Sequence, residues 1–129
     1  MIRPLLALAC LTLPAAGQDA ICANPPDQMT MTQCAYQEWQ AADAELNSVY
    51  QRAMAILRDQ DARLDAAQRG GPEALRDAQR AWITFRDKAC EAEGFAMRGG
   101  SAEPMVVAFC LTRITRERIA HLYDMAQTF

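Results

Sequence analysis

The chain has 129 residues, 13 Lys and Arg against 16 Asp and Glu for a net charge of −3, and 51% apolar residues; this accommodates one modest domain with a packed core and excludes a multidomain enzyme. Six glycines and six prolines exclude a collagenous or low-complexity chain. The acidic balance lacks the basic footprint of a nucleic-acid binder and suits basic or neutral partners.

Met1, Ile2 and Arg3 make a short positive start, Pro4 to Ala16 is uncharged and rich in Leu and Ala, and Ala15, Ala16 and Gly17 are small. Residues 1–17 therefore read as a secretory signal peptide and 18–129 as the mature domain. The apolar stretch is shorter than the roughly 18 residues of a membrane-spanning helix, and nothing later approaches that length, so no membrane span is expected. Cleavage removes Arg3, leaving the protein one unit more negative, and also Cys10. That leaves Cys22, Cys34, Cys90 and Cys110, an even set that implies two disulfides in an oxidising compartment. Ala7, Leu8 and Ala9 ahead of Cys10 match a lipid-attachment site only faintly, because the apolar run before the cysteine is short and continues beyond it. The expected location is periplasmic or secreted, without a lipid anchor.

Along the mature chain, Gln18 to Gln28, with Asn24, Pro25, Pro26 and Asp27 together, reads as an irregular arm. Thr30 and Gln33 then form a capping box, with Met29 and Cys34 placed as a hydrophobic staple. Ala35, Trp39, Ala42, Leu46, Val49, Ala53 and Ile56 follow at spacings of four and three, the stripe of a long first helix. Asp59 to Arg69 is charge-rich, and Gly70, Gly71 and Pro72 break the helix and start another, since Pro suits a first helical turn. The second stripe is Leu75, Ala78, Trp82, Phe85, Ala89 and Ala92, with Gly94 as a stop. Phe95 to Gly100 reads as a loop, Ser101 as the cap of a third helix, and Glu103 and Pro104 as residues suited to its first turn. Its stripe is Ala108, Leu111, Thr115, Ile119, Leu122, Ala126 and Phe129.

Three amphipathic helices and no convincing strand predict an all-α fold, a small antiparallel bundle of three main helices with an irregular N-terminal arm, stapled by two disulfides. A turn near residue 65 sets Trp39 by Cys90, Asp43 by Arg86, Leu46 by Trp82 and Tyr50 by Gln79. Cys22 with Cys34 would close the arm on the first helix, and Cys90 with Cys110 would tie the second helix to the third. Cys34 also lies at the Cys90 end of such a bundle, so Cys34 with Cys90 and Cys22 with Cys110 stays open, because spacing does not decide connectivity.

Catalytic and metal chemistry find little support. His121 is the only histidine, and Ser48 and Ser101 lack a Gly-rich elbow, so no serine-histidine triad is expected. The cysteines lack close CxxC pairs, and Asp59, Asp61 and Asp65 carry neither the glycine nor the final glutamate of a calcium loop. No cofactor, catalytic residue or metal ligand is assigned. Arg113, Arg116 and Arg118 are read as a solvated basic face near the end of the third helix. Met97, Met105, Met125, Trp39 and Trp82 read mostly as core.

One pattern goes further. Cys34 and Ala35, then Asp43, Glu45, Leu46, Asn47 and Tyr50, then Ala78, Gln79, Arg80, Ala81, Trp82, Arg86, Asp87 and Cys90, then Gly99, Gly100, Ser101 and Cys110 resemble the LprI-type lysozyme inhibitors of bacterial envelopes. The resemblance covers almost all of the mature chain, and the run from Ala78 to Ile83 with Phe85, Arg86 and Asp87 is its most specific part. It implies a small secreted or lipid-anchored helical protein that binds a protein partner, lysozyme being the named one.

Asp43, Leu46, Asn47, Tyr50, Gln79, Arg80, Trp82, Arg86 and Asp87 are expected as a structural core motif rather than a functional surface. Arg98, Gly99, Gly100 and Ser101, on the exposed loop from Phe95 to Glu103, are the candidate partner-binding residues. Two functional expectations follow: inhibition of lysozyme by occluding its glycan cleft, or a non-catalytic envelope interaction module for another protein.

Overall fold

The structure, a computed structural model, describes residues 16–128. The signal peptide read at 1–17 and Cys10 lie almost wholly outside the described residues, as does Phe129. Helices α1 (Ala16–Ala23), α2 (Gln28–Asp61), α3 (Gly71–Gly94) and α4 (Glu103–Thr128) make up the chain, with single 3₁₀ turns at Ala66–Gln68 and Phe95–Met97. The expected antiparallel bundle is formed by α2, α3 and α4. α2 packs most extensively on α4, and α3 lies across that pair. The irregular arm is a correction: part of it is the short helix α1, which Cys22 fastens to α2.

α2 starts earlier than the capping box predicts. Asp27 is the N-cap, extended at φ −151°, and its carboxylate accepts the Thr30 N–H at 2.7 Å. The preceding Pro25 and Pro26 favour extended backbone ahead of the helix. Met29 is exposed rather than stapled to Cys34, which is bonded to Cys22. The stripe of α2 is buried as expected through Ala53, apart from the half-buried Trp39, then passes to Met54 and Leu57 while Ile56 is only half-buried. Strict four-three spacing has a period of 3.5, a straight helix one of 3.6, so a long stripe drifts by about 20° per heptad and the core moves to the next residue.

The connector is organised by Asp61, whose carboxylate accepts the N–H groups of Gly70 at 2.8 Å and Gly71 at 3.3 Å, and so caps the start of α3. Gly70 sits at φ 139°, a backbone open to glycine and closed to most other residues.

α3 departs most from its expected stripe. Leu75, Gln79, Arg86 and Cys90 are buried and Trp82 half-buried, whereas Ala78, Phe85 and Ala92 face solvent, Phe85 at 61% exposure. The helix is rolled because two polar side chains have partners inside the bundle. Arg86 Nη1 donates to Asp43 Oδ1 at 3.0 Å and Nε to Asp87 Oδ1 at 2.9 Å, while Gln79 Oε1 accepts from Arg118 Nε at 3.0 Å. Arg86 also stands over both indoles, 5.6 Å from the Trp39 ring centre and 5.1 Å from that of Trp82. A buried cation with two carboxylates and two aromatic faces is well solvated by the protein, and this outweighs hiding one phenyl ring.

Leu46, Val49, Ala53, Leu57, Leu75, Ile119 and Leu122 belong to one core cluster, and Cys90, Cys110, Leu111 and Ile114 form a second, with Trp82 packed against both. Gly94 ends α3 in right-handed backbone at φ −59°. Its need for glycine is proximity, because a Cβ there would meet Val107 Cγ2 at 2.6 Å.

Candidate functional site

Both disulfides gather at one end of the bundle, where the N-termini of α2 and α4 meet the C-terminus of α3. Cys22 bonds Cys34 and Cys90 bonds Cys110, with Cα separations of 5.6 and 5.4 Å, which decides the connectivity left open by spacing. Among the described residues, five of the eight large apolar side chains that stay exposed lie at this end: Ile21, Met29, Phe95, Met97 and Phe109. Met97, expected in the core, is one of them. An exposed apolar group rimmed by polar residues on an acidic surface has the make-up of a contact surface for a protein.

Arg98, Gly99, Gly100 and Ser101 lie together on the loop at the tip of this end, all exposed as expected. The loop is braced internally. Glu103 accepts the Gly99 N–H on one oxygen at 2.8 Å and Arg98 Nη1 on the other at 2.9 Å. The Gly99 N–H, followed by the Arg98 guanidinium, holds the Glu103 carboxyl below its ordinary range. Gly99 takes φ 79°, and Gly100 N–H donates to the Met97 carbonyl at 2.9 Å, closing a tight turn. The Arg98 guanidinium lies over the Phe95 ring, 4.5 Å from its centre. Ser101 does not cap α4, which begins two residues later at Glu103. It lines a shallow apolar groove with Met29, Gln33 and Pro104 instead, joining the loop to the start of α2.

Beside this groove, between α1, α2 and α4, runs a larger one of about 630 Å³ lined by Pro25, Met31, Ala35, Ala41, Met105 and Phe109. The flanking charges are paired among themselves: Lys88 with Glu91, Arg113 with Glu93, and Arg116 with Glu38. The basic face expected from Arg113, Arg116 and Arg118 is thereby corrected. Two of its members are neutralised by carboxylates of other helices. The third, Arg118, is buried between Gln79 and His121 Nδ1, and desolvation lowers its affinity for a proton.

The motif residues divide. Leu46, Gln79 and Arg86 are buried, and Asp43, Tyr50 and Trp82 half-buried, a core role as expected. The expected Asp43 to Arg86 register is present, whereas Gln79 is bonded to Arg118 rather than Tyr50. Asn47 and Arg80 are exposed and do not belong to the core, since each follows a buried residue and a 100° step turns it to solvent. Asp87 is largely exposed and bonded to Arg86. Sequence reasoning missed the exposure of Met29 and Met97 and the bracing role of Glu103. A glutamate five residues beyond an arginine, across two glycines, is the one signal that pointed to the brace. Among the described residues no group of His, Cys, Asp and Glu could hold a metal, and no helix is long and apolar enough to cross a membrane.

Comparison with known proteins adds three findings. Residues 22–122 match the family described as "Lysozyme inhibitor LprI". An uncharacterized protein from Rhizobium meliloti (strain 1021) is 45% identical over 126 residues, 94% of this chain and 91% of its own. The crystal structure of a DUF1311 family protein from Pseudomonas putida KT2440, which is the same family, superposes with a TM-score of 0.68 at 26% identity, covering 80% of this chain and 96% of that one.

Proposed function

The chain belongs to the LprI family of lysozyme inhibitors, and from that premise we propose that it is a secreted or periplasmic protein that binds a lysozyme and blocks its glycan cleft with the disulfide-stapled end of the bundle. The observation that carries this reading is the concentration of exposed apolar side chains around a braced, protruding loop at that end, with Arg98, Gly99, Gly100 and Ser101 at its tip. A rigid loop loses little conformational freedom on entering a cleft, so more of the contact energy appears as affinity. The excess of acidic over basic residues favours encounter with a basic enzyme through long-range attraction. Residues 1–17 would direct export, and two disulfides are in keeping with an oxidising compartment.

The test is lysis of a peptidoglycan suspension by c-type lysozyme, with and without the oxidised mature protein, at low and moderate salt. Dose-dependent protection that weakens as salt rises is expected. Absence of protection by folded protein would refute the inhibitor reading and leave an envelope interaction module with another protein partner.

A further inference from the structure

We propose that Arg98 is the anchor of this interface and that its counterpart is a carboxylate of the catalytic pair in the partner's cleft. This deepens the inhibitor reading and rests on it. The other exposed cations of the stapled end, Lys88, Arg113 and Arg116, are paired with Glu91, Glu93 and Glu38 as Arg98 is with Glu103, but they lie on helix flanks, outside the loop that would enter a cleft. Arg98 stands on the protruding loop, its side chain 62% exposed. It is engaged through Nη1 alone, with Glu103 at 2.9 Å, so that among the described residues its Nε and Nη2 have no hydrogen-bond partner. Those two atoms form one edge of the guanidinium plane, the edge that grips a carboxylate through two parallel hydrogen bonds.

The free edge is held in place. Phe95 supports one face of the guanidinium at 4.5 Å, Glu103 fixes its inner corner, and the same Glu103 carboxylate pins the Gly99 N–H. Little side-chain entropy is left to lose on binding. A glycan-cleaving enzyme supplies the matching group, because its cleft holds two carboxyl groups roughly 5 to 10 Å apart flanking the scissile bond. A loop that occludes such a cleft brings its exposed cation onto one of them. Glu103 also prevents a bare positive charge from opposing the basic surface of the enzyme at long range, so that Arg98 acts only at contact.

The experiment is a double-mutant cycle on direct binding, which needs no enzymatic turnover. Wild type, Arg98→Gln and Arg98→Lys are titrated by calorimetry against c-type lysozyme and against lysozymes in which each catalytic carboxylate in turn is an amide. Arg98→Gln should weaken binding by about 10- to 100-fold, the scale of a hydrogen-bonded charge pair, and Arg98→Lys should recover part of the loss. One of the amide lysozymes should bind wild type correspondingly more weakly and Arg98→Gln no more weakly than before. Unchanged affinity of Arg98→Gln, or losses that simply add, would overturn the assignment while leaving the inhibitor reading intact. Absence of wild-type binding would overturn the inhibitor reading and this assignment with it.

Discussion

Replacing Arg86 separates the two ways in which it holds the bundle together. Its side chain is 8% exposed, but its partners are wetter, Asp43 at 38% and Asp87 at 55%. A fully buried ion pair that loses one partner costs about 3 to 5 kcal/mol because a charge is stranded in low dielectric. Here the stranded groups would be carboxylates that water reaches, so the penalty falls towards the 0 to 1 kcal/mol typical of accessible pairs. The larger loss is packing between two indoles, where cation-π attraction is worth about 0.5 to 2 kcal/mol and an emptied volume adds its own cost. Arg86→Met keeps an unbranched stem against Trp39 and Trp82 and should cost about 1 to 2 kcal/mol. Arg86→Ala should cost about 3 to 4 kcal/mol, or about 12 to 16 °C in Tm at roughly 4 °C per kcal/mol for a domain of this size. Asp43→Asn, whose amide oxygen still accepts from Arg86, should cost under about 1 kcal/mol. The assay is urea unfolding of the oxidised protein followed by far-UV circular dichroism, with a common m-value across the set. Arg86→Met as damaging as Arg86→Ala, or Asp43→Asn costing above about 3 kcal/mol, would refute the argument that packing rather than charge dominates.

Further outcomes follow from other sites. Gly94→Ala forces a Cβ to within 2.6 Å of Val107 and should destabilise by about 1 to 3 kcal/mol, measured by the same unfolding curves. Thr115 is fully buried with its hydroxyl unpartnered, so Thr115→Val should be neutral or raise stability by about 1 kcal/mol, visible as a higher Tm. Glu103 is held below its ordinary value of 4.5, so its contribution to the loop is present above that pH and lost as pH falls through the lowered value. Hydrogen exchange at the Gly99 amide should show this loss of protection on acidification, after allowance for the pH dependence of intrinsic exchange, and Glu103→Gln should abolish the dependence. Cys90 and Cys110 are buried whereas Cys22 and Cys34 are only partly so, so a limiting amount of dithiothreitol should open Cys22–Cys34 first, read by alkylation and peptide mapping. Each bridge closes a short loop, with sequence separations of 12 and 20, and its loss should cost about 3 kcal/mol.

Much of the fold was legible because it rests on periodicity. The stripe from Ala35 to Ala53 and the Asp43 to Arg86 register follow from apolar spacing and an antiparallel turn, and the break at Gly70 to Pro72 from its turn residues, whereas the disulfide connectivity needed the fold. The failures have physical causes. The face of α3 was misread at Phe85, because counting apolar residues puts it on the buried stripe beside Arg86, which the motif also assigns to the core, and the contacts of the guanidinium with Asp43, Trp39 and Trp82 decide the face in favour of Arg86. The start of α2 was placed at Thr30 because the capping box competes with an equally good cap at Asp27, and the prolines before Asp27 decide between them. Arg118 was grouped with Arg113 and Arg116 by sequence proximity, though helical steps of 100° send it inward. In the candidate site, the loop residues were found because glycines and a charged tip between helices mark exposure. The brace at Glu103 was hidden because it depends on the fold of the loop rather than on residue type.

The central claim is that the disulfide-stapled end is the face that meets the partner. Amide chemical-shift mapping of isotope-labelled, oxidised protein titrated with c-type lysozyme tests it most directly. The account predicts that the largest perturbations fall on Phe95 to Glu103 and on the start of α2 around Met29, with the connector from Ala62 to Gly70 unaffected. Perturbations centred on that connector, or on the exposed Phe85 face of α3, would contradict it.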